Sequence, residues 1–270
     1  MIPCELYLST GAFTGRVNNR NPHLLTRFHD RIRCDGFELM LMDTVDDAAL
    51  REYLAEGIRI PILHGHKHLG DLLSTPGEAA FGEAMALVRS DCESALTLGA
   101  HRLVIHGWGV PDSDRDFPAV RERVLAAVAL GRELAVDVTV ENCVCAVGSP
   151  LAHVTELAEQ DPDVSLLVDT RCSEFHRELA ETAASPLWRT NIRHVHINDY
   201  VGGYKDWDAR YPIYQPGQGQ IDWNCFFEGL RRADYRGSVT LEAPSMQPDR
   251  VDDETLNRGL DFIRAHLKEA

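Results

Sequence analysis

Apolar residues along this 270-residue chain recur in two alternating rhythms. Short aliphatic or β-branched runs read as strands, and longer stretches with apolar steps of three and four read as helices. ELYLST (5–10) precedes a predicted helix over 22–33, FELMLM (37–42) one over 46–56, and RIPILHG (59–65) a long one over 76–98. RLVIHG (102–107) leads to 118–135, DVTVEN (137–142) to 150–159, and VSLLVDT (164–170) to 174–188. RHVHIND (193–199) is followed by a long loop and a helix over 222–233, and SVTLEAP (238–244) by a last helix over 252–268. Eight βα units is the number that closes a single (β/α)8 TIM barrel. No linker or low-complexity tract divides the chain, so residues 1–270 are expected to form one TIM-barrel domain.

The long third helix shows the reading at work. Phe81, Met85, Val88, Cys92, Ala95 and Leu96 share one stripe, which leaves Glu83, Arg89, Asp91 and Glu93 for solvent. Pro76 suits a first-turn position and Gly99 a C-cap.

Strand side chains alternate between faces, so each barrel strand gives its lumen every second residue. In DVTVEN, Val138 and Val140 take the helix face and Glu141 points inward; in VSLLVDT the same parity turns Asp169 inward. In RHVHIND, Val195 and Ile197 face the helices while His194, His196 and Asn198 face the lumen. Glu242 is inward in the last strand, and His64 and His106 are inward in the third and fourth. Six strands thus present an ionisable group at one end, the C-terminal end at which such barrels carry their active sites.

A carboxylate buried without a partner costs several kcal/mol, so three converging acids need protons, cations or a metal. No lysine or arginine stands at the late lumen positions, which favours a divalent metal held by Glu141, Asp169, His196 and Glu242. A lone late-strand histidine such as His64 or His106 is more often a hydrogen-bonded pocket residue, and His194, one layer deeper, reads as a support. Glu38 shares its face with Met40 and stays outside the ligand set as a contact for substrate or a neighbouring loop.

Composition narrows the partners. The chain is 44% apolar and 26% charged, ordinary for a globular enzyme. With 27 basic against 42 acidic residues its formal net charge is −15, which opposes nucleic acid as a partner. Seven cysteines without CxxC or disulfide-scaffold spacing suit a reducing cytoplasm. MIPCELYLSTGAF lacks the apolar core of a signal peptide and no apolar run reaches membrane-spanning length, so a cytoplasmic location without membrane contact is expected.

The segments VTVENC, LLVDT, HVHINDY and QPGQGQIDWNCFFEGLRRADYRGSVTLEA carry a family likeness. In this order the chain resembles, over nearly its whole length, the xylose isomerase-like TIM barrel superfamily, specifically the sugar phosphate isomerase/epimerase branch related to apurinic-site endonuclease barrels. The resemblance matches Glu141, Asp169, His196 and Glu242 to the metal-binding positions, the four that strand parity had selected. It implies that Glu141 and Glu242 exchange protons on the two faces of a substrate. His64 and His106 match positions that hold a further zinc in the endonuclease branch, a second metal site with Glu141 as bridge. Two departures stand out. DTRC places Cys172 where many relatives have a histidine, and the loop VGGYKDWDARYPIYQPGQG has no histidine for a third zinc.

The expected activity is a divalent-metal-dependent isomerase or epimerase acting on a sugar, sugar phosphate or related polyol, by proton abstraction next to a carbonyl through a metal-stabilised enediolate. The hard-leaning donor set suits Mn²⁺, Mg²⁺ or Co²⁺ and tolerates Zn²⁺. His64, His106, Trp108, Asn142 and Tyr204 lie at late-strand or loop positions that could hold the small carbohydrate substrate. Arg16, Arg20 and Lys205 are active-face charges able to receive a phosphate or carboxylate, though each alone reads as a solvated charge. A dehydratase or lyase on a keto-polyol, or a di-zinc hydrolase of the apurinic-site endonuclease type, are the alternatives. A homo-oligomer is compatible with the pattern, which does not fix it.

Overall fold

Eight parallel strands form a closed barrel, with each strand hydrogen-bonded to its sequence neighbours and β8 returning to β1. The structure, a computed structural model, describes residues 2–109 and 114–268. The strands are β1 (Glu5–Ser9), β2 (Gly36–Met40), β3 (Ile62–His64), β4 (Arg102–His106), β5 (Asp137–Glu141), β6 (Ser165–Asp169), β7 (Ile192–Ile197) and β8 (Ser238–Leu241). Between and after them run α1 (His23–Phe28), α2 (Asp47–Ala55), α3 (Leu69–Ser74), α4 (Glu78–Leu98), α5 (Phe117–Glu133), α6 (Pro150–Gln160), α7 (Thr170–Phe175), α8 (Leu179–Ala184), α9 (Trp223–Arg232) and α10 (Asp253–Lys268). The expected barrel is therefore the observed one.

Local chemistry sets the differences in detail. β3 is only three residues long because Pro61 has no amide to donate to a neighbouring ladder. The stretch expected as one helix over 174–188 is α7, α8 and a 3-10 turn, Pro186–Arg189, and the chain bends where Arg177 takes a φ of +55°. α4 begins at Glu78 rather than at Pro76, since Gly77, with φ at +104°, occupies the N-cap. Gly99 closes α4 in the left-handed conformation, as the sequence predicts.

The stripe of α4 needs two corrections. Leu96 is 49% exposed, whereas Asp91, assigned to solvent by periodicity, is buried. Its carboxylate accepts from the His66 backbone amide (3.1 Å) and pairs with His66 Nδ1 (2.8 Å), so it ties the loop after β3 to the helix layer. A helical pattern cannot distinguish a solvated acid from one reaching a loop amide.

In the lumen, Tyr7, Ile62, Val104 and Leu167 form an apolar layer. Above it lie Glu38, His194 and Thr240, and the late-strand acids and imidazoles follow towards the C-terminal mouth. The register places His106 beside Glu141 and Asp169 beside His196. Beyond β7, Asp199 organises the QPGQG loop: its buried carboxylate accepts from the amides of Gly217, Gly219 and Ile221 and from Trp223 Nε1. A side chain at Gly219 would meet that carboxylate at 2.2 Å, which accounts for glycine there.

Candidate active site

Glu141, Asp169, His196 and Glu242, from the ends of four consecutive strands or just beyond, meet at the mouth of the lumen. His196 Nδ1 lies 3.8 Å from Glu141 Oε1 and 3.7 Å from Glu242 Oε2. Asn198 bridges the acids, donating through Nδ2 to Asp169 Oδ2 (2.7 Å) and Glu242 Oε2 (2.9 Å). Asp169 is fixed from behind, where its Oδ1 accepts from the Cys172 amide and its own amide donates to Asn142 Oδ1.

His64 and His106 join the same centre. His64 Nε2 is 3.4 Å and His106 Nε2 3.1 Å from Glu141 Oε2. These approaches lack hydrogen-bond alignment, so His64 Nε2, Glu141 Oε2 and His196 Nδ1 are all buried without a hydrogen-bond partner. Buried polar atoms left unpaired are uncommon, and three aimed at one place suit a cation that accepts all their lone pairs. Among the described residues the donor atoms of His64, His196 and Glu242 lie within 4.8 Å of one another, as do those of His64, His106 and Glu141 and those of Glu141, Asp169 and Cys172. Cys172 is thus at the centre as a buried thiol. Its pKa is driven well above the ordinary value by burial and by Asp169.

The two inward histidines of β7 are explained by Glu38. This carboxylate is fully buried and accepts from His194 Nε2 (2.9 Å), His196 Nε2 (2.9 Å) and Thr240 Oγ1 (2.8 Å). His196 is thereby oriented with Nδ1 towards the acids, the arrangement by which a carboxylate behind an imidazole fixes a metal-ligating ring. His194 completes the support through Ser238 Oγ at 2.7 Å. Sequence reasoning left Glu38 aside; the signal was an inward acid in an otherwise apolar strand.

No lysine or arginine stands at the late strand positions, as expected, but Lys67 and Arg171 approach the lumen acids from outside them. Lys67 comes from the loop after β3 and Arg171 from the first turn of α7, outside the strand positions that parity addresses. Lys67 Nζ lies 4.0 Å from Glu242 Oε1. Burial opposes ionisation of Glu141, yet His106, then His196 and His64, hold its carboxyl well below the usual range. Burial likewise opposes ionisation of Glu242, but His196 and Lys67 hold its pKa low. Asp169 moves the other way, raised by burial and by Glu141 and Glu242 against the partial relief of Arg171. Burial would lower His196, but Glu38 and Glu242 lift it well above its ordinary value.

The remaining expected contacts divide. His106 and Trp108 line a cavity of about 790 Å³ over the centre, together with Glu141, Glu242, Lys67 and Arg171. His64 lies beneath it, with Nδ1 at 2.9 Å from the Gly65 carbonyl. Asn142 is buried and occupied, donating to Ser173 Oγ. Tyr204 is 64% exposed, its ring against His176, and does not line that cavity. Lys205 is also elsewhere, donating to the carbonyls of Ala146 and Gly148.

Comparison with known proteins agrees with this architecture. A family model described as xylose isomerase-like TIM barrel matches residues 31–266. A xylose isomerase domain protein from Alicyclobacillus acidocaldarius superposes with a TM-score of 0.72 at 19% identity, covering 98% of both chains. D-allulose 3-epimerase from Methylomonas sp., in complex with D-allulose, gives 0.71 at 17% identity over 98% of both chains. The 3-keto-D-glucoside 4-epimerase from E. coli gives 0.67 at 18% identity, covering 97% of this chain and 99% of that one. At these identities the superpositions establish a shared fold. No curated protein matches the chain. No helix among the described residues is long and apolar enough to cross a membrane.

Proposed function

The chain belongs to the xylose isomerase-like TIM barrel family, and from that membership and its strand-end donors we propose a divalent-metal-dependent isomerase or epimerase of a sugar, sugar phosphate or related polyol. The observation that carries this reading is the set of buried, unpartnered donors His64 Nε2, Glu141 Oε2 and His196 Nδ1 beside Asp169 and Glu242. Two of the solved structures that share the fold are sugar epimerases.

Glu141, Asp169, His196 and Glu242 would hold the ion, with Mn²⁺, Mg²⁺ or Co²⁺ suited to three carboxylates and one imidazole. When bound, such an ion polarises a carbonyl oxygen and neutralises charge that develops on it. The protein supplies the proton chemistry. Glu141, kept ionised by the surrounding imidazoles, can take a proton from the carbon beside a carbonyl. Glu242 stands just after β8, three strands away, and can return a proton from another side of the substrate. His196 and then Lys67 hold Glu242 ionised against its burial, Asn198 fixes the gap between Glu242 and Asp169, and Trp108, its Nε1 committed to the Cys143 carbonyl, gives the cavity a rigid wall.

Metal analysis of the purified protein, followed by deuterium exchange from solvent into a panel of ketoses and aldoses, tests the reading. The expected result is one Mn, Co or Mg per chain, with exchange at the carbon next to the carbonyl that disappears in Glu141→Gln and Glu242→Gln while metal is retained. Exchange unchanged in both variants would sink the assignment. Release of water from a keto-polyol after abstraction would identify the dehydratase instead. The grouping of His64 and His106 with Glu141 supports a second reading, the di-zinc hydrolase, for which two zinc ions per chain and phosphoester cleavage are the marks.

A further inference from the structure

The cavity above the acids is basic in a chain that is not. Arg16, Arg20, Lys67, Arg171 and Arg210 line it, against Asp71, Glu141 and Glu242, although the whole sequence carries a formal charge of −15. Two of those acids belong to the proposed metal centre, so the balance over the rest of the cavity is positive.

Arg171 and Arg210 carry the argument further. Among the described residues, neither guanidinium has a carboxylate within ion-pair distance. The Nε atoms of both are buried without a hydrogen-bond partner. Arg171 Nη1 donates to the Arg210 carbonyl at 3.3 Å, which places the two residues side by side. The Arg210 guanidinium also lies 5.8 Å from the Trp207 ring centre and 5.3 Å from that of Tyr211, which orients it without neutralising it. Unused guanidinium N–H groups in a partly dry site are costly unless something accepts from them, and their fork matches a carboxylate or phosphate. The neighbouring wall cannot do so, since Met40, Met42, Ile213 and Met246 line it with thioethers and methyl groups.

We infer that the substrate carries a terminal oxyanion, a carboxylate or a phosphate, received by Arg171 and Arg210 while its hydroxy-carbonyl end lies over Glu141 and Glu242. This rests on the reading of the cavity as the catalytic pocket. It narrows the substrate to anionic sugars or sugar acids. Arg171, Arg210, Glu141 and Glu242 line one cavity, so a single bound molecule can meet both ends.

Calorimetric titration of the Mn²⁺-loaded full chain with D-fructose, D-fructose 6-phosphate and 5-keto-D-gluconate tests the inference. Charge-assisted hydrogen bonds to a guanidinium predict that at least one anion binds about tenfold or more tightly than the neutral sugar. Which anion wins distinguishes phosphate from carboxylate. The ratio of anion to neutral affinity is expected to collapse in Arg171→Gln and Arg210→Gln and to be partly kept in Arg171→Lys. Equal affinities in the wild type, no anion binding, or a preference that survives both Gln substitutions overturns the inference. Solvent-deuterium exchange separates it from the proposed chemistry: anion selectivity without exchange leaves the substrate class standing and removes the isomerase. Exchange into the neutral sugar without anion preference does the reverse.

Discussion

Replacing Glu38 by Gln should destabilise the protein by about 3 kcal/mol and loosen the proposed metal centre without touching it. The carboxylate accepts from two imidazole nitrogens at 2.9 Å and from a hydroxyl at 2.8 Å, and it is fully buried. Hydrogen bonds to a charged group are worth about 1.5–3 kcal/mol each, and breaking a buried pair by losing one partner costs about 3–5 kcal/mol. Gln keeps the shape and one acceptor oxygen, which puts the expected loss at the lower end of that range. The new amide N–H₂ would face a ring nitrogen that already bears a proton, so one imidazole must change tautomer or turn. Urea unfolding of the metal-free protein measures the first effect. Titration with Mn²⁺ measures the second, for which loss of a carboxylate behind a ligating histidine predicts about a 10–100-fold weaker metal. A stability change under about 1 kcal/mol together with unaltered metal affinity would refute the support role of Glu38.

Asn198→Asp should put another carboxylate between Asp169 and Glu242, lowering the melting temperature of the metal-free protein; the deficit should shrink when Mn²⁺ is added, as thermal unfolding in both states would show. His66 has its pKa raised first by the hydrogen bond it donates to Asp91, so the pair's contribution is fully present below about pH 6.5 and fades as pH rises through the higher folded value. Asp91→Asn should therefore cost about 1 kcal/mol at acidic pH and progressively less at alkaline pH, which urea unfolding across that range would detect. Gly229→Ala should destabilise by about 2 kcal/mol, because the new methyl would meet the Ala183 carbonyl oxygen at 2.4 Å where α9 packs on α8; an unchanged urea midpoint would contradict that packing.

The barrel was legible because its signal is repeated eight times and depends only on alternation. The inward direction of Glu141, Asp169, His196 and Glu242 followed from the same parity, since a side chain two residues along a strand returns to the same face. What parity could not reach lies off the strands. Lys67 enters from a loop held by Asp91, an acid that helical periodicity assigned to water, and Arg171 enters from the turn after Asp169. Tyr204 shows the converse error: it sits on a loop at the active face, but the loop carries its ring away from the cavity and out to solvent. Glu38 was visible as an inward acid, and its partners were not, because His194 and Thr240 are 156 and 202 residues away in the chain.

These off-strand cations change the reason for expecting a metal. The late strand positions hold no lysine or arginine, yet Lys67 comes within 4.0 Å of Glu242 and Arg171 favours the ionised form of Asp169 from beyond ion-pair distance. The relief they give is uneven. Glu38, Glu141 and Glu242 are each held below the ordinary carboxylate range by imidazoles, with Lys67 also serving Glu242. Asp169 alone is pushed upward, since burial and the charges of Glu141 and Glu242 outweigh Arg171. Beside it in the register stands His196, whose Nδ1 is buried without a hydrogen-bond partner. A divalent ion there would stabilise the ionised form of Asp169 and accept the lone pair of His196, supplying the charge that the loops leave missing.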